Sequence, residues 1–458
     1  MASVVSFYRL FEKDINRLGP AARSGRTAFR IEKAAPFSVR VAEMVLSAAG
    51  MEQFYFRDRR NRYEAGAIGC ARAFTGEGAG RLPVREMACL WEQDPLFTLF
   101  GGMSFFDVDT PPEWQSFDRF RFVLPLVELR KDVDGCRVVL NCVIPPGKTP
   151  RETGDDILAC LRRLDSMPKQ SPLPDKIPPY TETLVPGPSD WNALVGEALA
   201  WLRENGSRKV VLARKKIMRS PVPWDPALLF QGIGRIEEDS FLFYCRRKSG
   251  DAFFGRTPER LFRKTNGFLL SEAIAGTRQR GYSPDQDTLL ESELMASDKD
   301  MEEHQIVVDY IRRQMSALCT DLEVVSAMKP LKLRHLQHIV TRVRGRERNG
   351  QDPVETLFMF HPTPAVCGVP PEGSREMIQR LEPFGRGWYG APIGWMSRHE
   401  AEFAVGIRSA LVRETELHLF GGAGIMEKSD AELEWQETGH KMENFTRILQ
   451  GEGQDGNG

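Results

Sequence analysis

Between Asp165 and Ser189 the chain carries seven prolines, Pro168, Pro172, Pro174, Pro178, Pro179, Pro186 and Pro188. Proline fixes φ and offers no backbone N–H, so this stretch is expected to be neither a helix nor a central strand. It divides the 458 residues into an amino-terminal region (about 1–165), a connector (166–189), a carboxy-terminal region (about 190–450) and a short flexible tail (451–458). No internal repeat is visible, and a chain that is 41% hydrophobic has enough apolar material for a large core.

After the connector, Ser189 or Asp190 is placed to cap a helix whose apolar positions Trp191, Leu194, Val195, Ala198, Leu199 and Leu202 keep one buried face. Asn205-Gly206 ends it. KVVLAR (209–214) reads as a strand, followed by β-rich pieces at 241–245, 253–263 and 267–276. A second helix is expected from about Lys299 to Leu318, then strands at 334–344, 402–413 and 416–421. A last helix at about 430–450 opens with a capping box, Ser429 and Glu432. Clustered strands with helices between them favour an α+β fold, antiparallel sheets in the core and helices outside.

The 62 basic and 63 acidic residues nearly cancel, so the chain lacks the basic footprint that nucleic acid demands. The eight cysteines are scattered without C-x-x-C spacing, which fits a reducing cytoplasm. No continuous apolar segment reads as a signal peptide or membrane span, and FRFVLPLVEL (120–129) is cut by Arg121, Pro125 and Glu128. A soluble, cytoplasmic protein without nucleic-acid or membrane partners is expected.

Several constellations admit both a structural and a chemical reading. Glu434, Glu437 and Lys441 share one face of the last helix, as either a solvated face or part of a ligand set. Glu303 lies on the apolar stripe of Ile306, Val307, Tyr310 and Ile311, so its carboxylate should point inward and need a cation or a basic partner. Glu303, Glu434 and Glu437 would make an all-oxygen site suited to Mg²⁺; zinc is disfavoured because no Cys or His pairs have ligand spacing. FGGAGI (420–425) is read as a glycine-rich turn that is either only a turn or a place for an anion against backbone N–H groups. Lys209 is either an ordinary lysine at a strand start or a general base with lowered pKa. Glu272, in an apolar run, invites reading as a general acid with raised pKa. His338 is either a satisfied core histidine or a site residue, and Arg408, on a half-buried strand, requires an anionic partner.

Taken in order, KVVLAR (209–214), FGRTPERL (254–261), EAIAGT (272–277), SDKDMEEH (297–304), LQHIVTRVRG (336–345), HPTPAVCG (361–368), WYGAPIGW (388–395), FAVGIRSA (403–410), GAGI (422–425) and EWQETGHK (434–441) resemble the signature run of chorismate-utilising enzymes. The resemblance covers about residues 190–450 and makes residues 1–165 the variable amino-terminal part of the same fold. It implies Mg²⁺ on Glu303 and Glu437, with Glu434 beside them. Arg408 and Tyr389 would meet the enolpyruvyl carboxylate, and Lys441 with the backbone around Gly422 and Gly424 would form the other carboxylate cradle. His338 would lie near the ring hydroxyl, and Thr277 and Ala365 complete the substrate-binding set.

In this family, ammonia-using members generally have Gln where this chain has Lys209, and others have a nucleophilic Lys where it has Ala275. The resemblance therefore implies water as nucleophile, Lys209 as base and Glu272 as acid, converting chorismate to isochorismate. The alternative is continuation to salicylate with loss of pyruvate; Ala365, where lyase-competent relatives tend to have threonine, argues for stopping at isochorismate. WYGAPIGW departs from the family by placing Ala391 where glycine is common. Menaquinone, catechol siderophore and salicylate biosynthesis all begin with this reaction and are equally open; chorismate is the expected partner, and a glutamine amidotransferase subunit is not expected.

Overall fold

The computed structural model describes residues 6–18, 26–36, 38–76, 83–106, 110–167, 177–236, 239–332, 336–348 and 351–449. The predicted tail and much of the connector (168–176) lie outside them. Among the described residues two antiparallel sheets, one of 12 strands and one of 9, form the core, and helices cover their outer faces. The expected α+β class is what the chain adopts.

Both halves of the chain enter both sheets. In the larger, Gln53–Arg57 pairs with Phe241–Arg246, joining the amino-terminal strands to Ala252–Thr257, Ser409–Arg413, Glu416–Ile425 and Lys209–Arg219. In the smaller, Leu99–Met103 pairs with Pro392–Met396, which continues through Ala401–Val405, Arg260–Thr265, Phe268–Gln279 and Leu336–Glu347. Aromatic side chains from both sheets, among them Phe54, Phe100, Phe253 and Phe420, bury one another in a shared cluster with Trp114 and Trp388 from the connecting segments. Each such ring removes a large apolar area from water, so the sheets are held face to face chiefly by the hydrophobic effect.

Within the connector no central strand forms, as expected: Thr181–Val185 is an edge strand, pairing only with Lys209–Arg219, and the prolines flank it, at Pro179 and Pro186, where no ladder bond is lost. Three local expectations are corrected. The helix Pro188–Asn205 starts without a side-chain cap, because Pro188 occupies the first turn, where its missing N–H has no partner to lose; Ser189 and Asp190 sit inside that turn. Gly206 ends this helix in the left-handed conformation, as the Asn-Gly pair predicts. The last helix, Ala431–Leu449, is capped by Asp430, which accepts from the N–H groups of Glu432 and Leu433 at 3.0 Å each, while Ser429 accepts from Met426 instead. The glycine-rich segment 420–425 is no turn: it belongs to the strand Glu416–Ile425.

The segment 402–413 is also not one strand. Ala401–Val405 belongs to the smaller sheet and Ser409–Arg413 to the larger, so the chain crosses between them over Gly406–Arg408. A second crossing lies at Pro258–Glu259, between Ala252–Thr257 and Arg260–Thr265. The two crossings are tied together, since Val405 N–H donates to the Glu259 carbonyl at 3.0 Å.

Candidate active site

A cavity opens at these crossings. Its wall includes Glu259, Thr277, Glu303, His338, Ala365, Tyr389, Arg408, Gly422, Glu437 and Lys441, which brings together most of the residues singled out in the sequence.

Lys209 begins a strand but is fully buried, so it is not the ordinary exposed lysine of a strand start. Its Nζ donates to the Glu303 carboxylate at 2.7 Å. Helix Asp298–Leu318 is capped by Ser297 and packs its apolar stripe on the smaller sheet, which directs Glu303 toward the strand edge. Burial would push the Glu303 carboxyl up, but the Lys209, Lys441 and Lys299 ammonium groups hold it below its ordinary value.

The glutamate assignment requires correction. Glu272 is buried, yet its surroundings are not apolar: Arg59 lies 2.6 Å, Arg260 2.8 Å and Arg342 3.0 Å from its carboxylate oxygens. Burial alone would raise its pKa, and the three guanidinium groups outweigh that and hold it down to about 2. Glu272 is therefore an ionised structural carboxylate, and it is not among the cavity-lining residues. The strand pattern revealed its burial, but its partners come from positions 59, 260 and 342.

Glu259 has the properties sought in Glu272. It faces the cavity, is 4% exposed, and meets the Thr363 hydroxyl. Burial pushes its carboxyl up to about 7, against the opposing pull of Lys209, Thr363, Arg59 and Lys441. Glu259 lies inside FGRTPERL, where no periodicity marks it as a site residue. The available signal was a proline followed by an acid within a β-rich run, since proline cannot join a ladder and so marks a break in the strand.

On the opposite wall, Arg408 donates to His338 Nε2 at 3.2 Å, and His338 Nδ1 lies 3.1 Å from the Thr277 hydroxyl. A guanidinium has no lone pair to offer, so Nε2 must accept and Nδ1 must carry the ring proton. Burial, reinforced by the neighbouring Arg408 charge, holds His338 well below its ordinary pKa, and the ring is neutral at physiological pH. Arg408 does not lie on a strand as expected. It sits in the crossing with φ of 50°, held by the Arg256 N–H on its carbonyl at 3.0 Å. A non-glycine residue in this region is strained and persists only where its surroundings fix it.

The three acidic candidates occur as lysine pairs: Lys209 with Glu303, Lys299 with Glu434 at 2.9 Å, and Lys441 with Glu437. Among the described residues no three His, Cys, Asp or Glu side chains converge on a single point. They are nevertheless electrostatic neighbours, for all three carboxylates act on Lys299. Burial, and next the charge of Glu437, push the Glu434 carboxyl up. A buried Glu434 and the half-buried Glu303 and Glu437 are oxygen donors whose like charges a hard divalent cation relieves, and on this ground the residues fit Mg²⁺.

The glycine segment is a strand edge beside the cavity. Its ladder with Lys209–Arg219 runs to Ile425, whereas its ladder with Ser409–Arg413 ends at Leu419. Among the described residues no strand pairs with 420–425 on that second side, which leaves backbone polar groups for a bound anion. Lys441 Nζ donates to the Gly422 carbonyl at 2.9 Å. Glycine is needed here for close approach: a Cβ on Gly422 would meet the Tyr389 hydroxyl at 2.9 Å, and one on Gly424 would meet Lys209 Cε at 2.7 Å. Tyr389 is itself stacked on Phe420, with ring centroids 5.0 Å apart.

The sequence profile of the family described as chorismate binding enzyme matches residues 26–450. A chloroplastic isochorismate synthase of Catharanthus roseus is 31% identical over 78% of this chain; the match spans 62% of that relative's length. The isochorismate synthase MenF of Bacillus subtilis (strain 168) is 30% identical over 77% of this chain and 75% of its own. Among solved structures, MenF, the menaquinone-specific isochorismate synthase from Escherichia coli, superposes with a TM-score of 0.83 at 26% identity, covering 96% of this chain and 99% of that one.

Proposed function

The chain belongs to the chorismate-binding enzyme family, and from that premise we propose that it converts chorismate to isochorismate. The observation that carries the reading is a cavity-facing glutamate, Glu259, whose carboxyl burial pushes up to about 7, within electrostatic reach of the buried Lys209. With its own proton first released to solvent, the neutral Lys209 amine takes a proton from water as its oxygen bonds to C2 of the ring; the double bonds shift, and Glu259 protonates the hydroxyl leaving C4 as water. One water enters and one leaves, so the reaction is a net isomerisation, and the proton gained by Lys209 returns to Glu259 through solvent.

Arg408, in its strained crossing, and Tyr389 bind the enolpyruvyl carboxylate, and Lys441 with the open strand edge at Gly422 and Gly424 receives the ring carboxylate. Neutral His338 and Thr277 face the ring hydroxyl. Glu303, Glu434 and Glu437 would hold Mg²⁺, which when bound supplies positive charge to the ring carboxylate. Ala275 and Ala365 both line the cavity, so neither a lysine nucleophile nor a threonine hydroxyl is supplied at those positions.

The isochorismate synthases among the relatives support this reaction, and likeness to the menaquinone-specific enzyme from Escherichia coli makes menaquinone synthesis the favoured setting. The test is incubation with chorismate and Mg²⁺ while isochorismate, salicylate and pyruvate are quantified. Isochorismate without matching pyruvate is the expected result; early salicylate with equimolar pyruvate would overturn the proposal.

A further inference from the structure

The arginine cage around Glu272 is too elaborate to serve only as a way of burying one carboxylate, and one of its members comes from outside every motif considered above. Arg59 lies in the hairpin between Gln53–Arg57 and Glu64–Ile68. That loop is stapled by Asp58, whose carboxylate accepts from the N–H groups of Arg62 at 2.7 Å and Tyr63 at 3.2 Å, while its own N–H donates to the Tyr63 carbonyl at 3.0 Å. The hairpin presents the Arg59 guanidinium over the Phe241 ring, 4.9 Å from its centroid, with the side chain 6% exposed. There it meets the Glu272 carboxylate at 2.6 Å and donates to the carbonyl of Pro258.

Pro258 immediately precedes Glu259 and lines the cavity with it. The Pro258–Glu259 crossing belongs to neither sheet, and proline has no N–H with which to join a ladder. Its orientation is fixed instead by three contacts: the Arg59 guanidinium on the Pro258 carbonyl, the Val405 N–H on the Glu259 carbonyl, and the Thr257 hydroxyl accepting from the Glu259 N–H at 3.3 Å. Of these, only Arg59 carries a charge, and only Arg59 comes from the amino-terminal region.

We infer that Arg59 is a positioning residue for Glu259: its Nη2 donates to the Pro258 carbonyl while lying 2.6 Å from the Glu272 carboxylate, and so sets where the Glu259 carboxyl stands in the cavity. The inference deepens the proposed reaction and rests on it. Glu272 is the anchor that keeps Nη2 in place, and the amino-terminal region contributes to the chemistry through this one side chain. Lysine does not replace it, because an ammonium on a flexible stem lacks the planar guanidinium that lies over the Phe241 ring and fixes Nη2 in place. The charged groups acting on Glu259 are Lys209 from its strand, Lys441 from the last helix and Arg59 from the hairpin, with the Thr363 hydroxyl as hydrogen-bond partner.

The test uses the full chain with chorismate and Mg²⁺, comparing wild type with Arg59→Met, Arg59→Lys, Glu272→Gln and Glu259→Gln, each checked for folding by circular dichroism and thermal melting. In Arg59→Met, kcat is expected to fall roughly ten- to hundredfold, as for a misplaced catalytic group, while KM stays within about twofold because Arg59 does not line the cavity. The ionisation nearest neutrality in the kcat profile should move to higher pH, because the lost positive charge had favoured the ionised carboxylate. Arg59→Lys, which keeps the charge, should lower kcat while leaving that ionisation near its wild-type position.

Unchanged kcat in Arg59→Met, or a lower kcat with the ionisation unmoved, would overturn the inference. Should Arg59→Met fail to fold, Arg59→Lys and Glu272→Gln decide: a fall in kcat with KM retained supports the positioning role, and wild-type kcat in both overturns it. Glu259→Gln separates this from the underlying reading. An inactive Glu259→Gln beside an Arg59→Met with wild-type kcat overturns the inference alone, whereas a fully active Glu259→Gln removes the reaction scheme and the inference with it.

Discussion

Lys209 Nζ stands 2.7 Å from the Glu303 carboxylate, joining the first residue of a central strand to a helix 94 positions later. Replacing Lys209 by alanine removes the proposed base and also strips Glu303 of its closest cation. The expected result is a kcat lower by about 10²–10⁴-fold, the usual contribution of a positioned proton-transfer group. Steady-state turnover of chorismate measures it, and a Lys209→Ala enzyme within a few-fold of wild type would exclude the lysine as base.

Gly424 makes the same relationship testable without touching either partner. A Cβ there would lie 2.7 Å from Lys209 Cε and 2.8 Å from a Glu303 carboxylate oxygen. The backbone at Gly424 has no left-handed φ, so alanine is conformationally acceptable and the clash falls on the pair itself. Gly424→Ala should lose roughly tenfold or more in kcat through displacement of the reacting groups. Its melting temperature should remain close to that of wild type.

The two glutamates thirteen residues apart should give opposite pH signatures in stability. Glu259 has a folded value of about 7, above its ordinary 4.5, so the folded state retains a proton that the unfolded chain has released. Its contribution is full below about pH 4.5 and declines as pH rises through 7, a change of roughly 3 kcal/mol. Glu272, held down to about 2, contributes above pH 4.5 and loses that contribution as pH falls toward 2, again by roughly 3 kcal/mol. Urea unfolding of wild type, Glu259→Gln and Glu272→Gln across pH 3–8 measures both slopes. Slopes of equal sign would refute the assignment of opposite environments.

Chelation should abolish turnover, and added Mg²⁺ should restore it. Because Glu434 is buried beside Glu437, with its carboxyl pushed up, a bound cation should also stabilise the fold. Mg²⁺ is therefore expected to raise the melting temperature of wild type, and to raise it less in Glu434→Gln and Glu303→Gln. A melting temperature indifferent to Mg²⁺ in wild type would count against these residues as ligands.

Much of the site was legible because its residues sit in elements with strong local signals. The capped, amphipathic helix of Glu303 and the strand of Lys209 were both readable from spacing. What escaped were relationships between segments distant in sequence. Glu272 looked like a buried acid because its own strand is apolar, and nothing near it in sequence announces Arg59 or Arg342. Glu259 was hidden for the converse reason: it stands where the chain leaves one sheet for the other, and periodicity carries no information at a crossing. The glycines of 420–425 were taken for a turn because glycine commonly marks one, whereas here they keep a strand thin enough for Tyr389 and Lys209 to approach. The amino-terminal region offered no motif, since its strands matter through the partners they find.

The passage of the chain from one sheet to the other at Gly406–Arg408 ties local geometry to the whole molecule. Arg408 has no flexible loop on either side to absorb strain: Val405 ends one ladder and Ser409 begins the next. Any slippage of one sheet over its neighbour would therefore be felt at once by this guanidinium. Amide protons around Ile407 and Arg408 should then exchange with deuterated solvent only as fast as the entire protein opens, so the catalytic pocket and the global fold would be lost together.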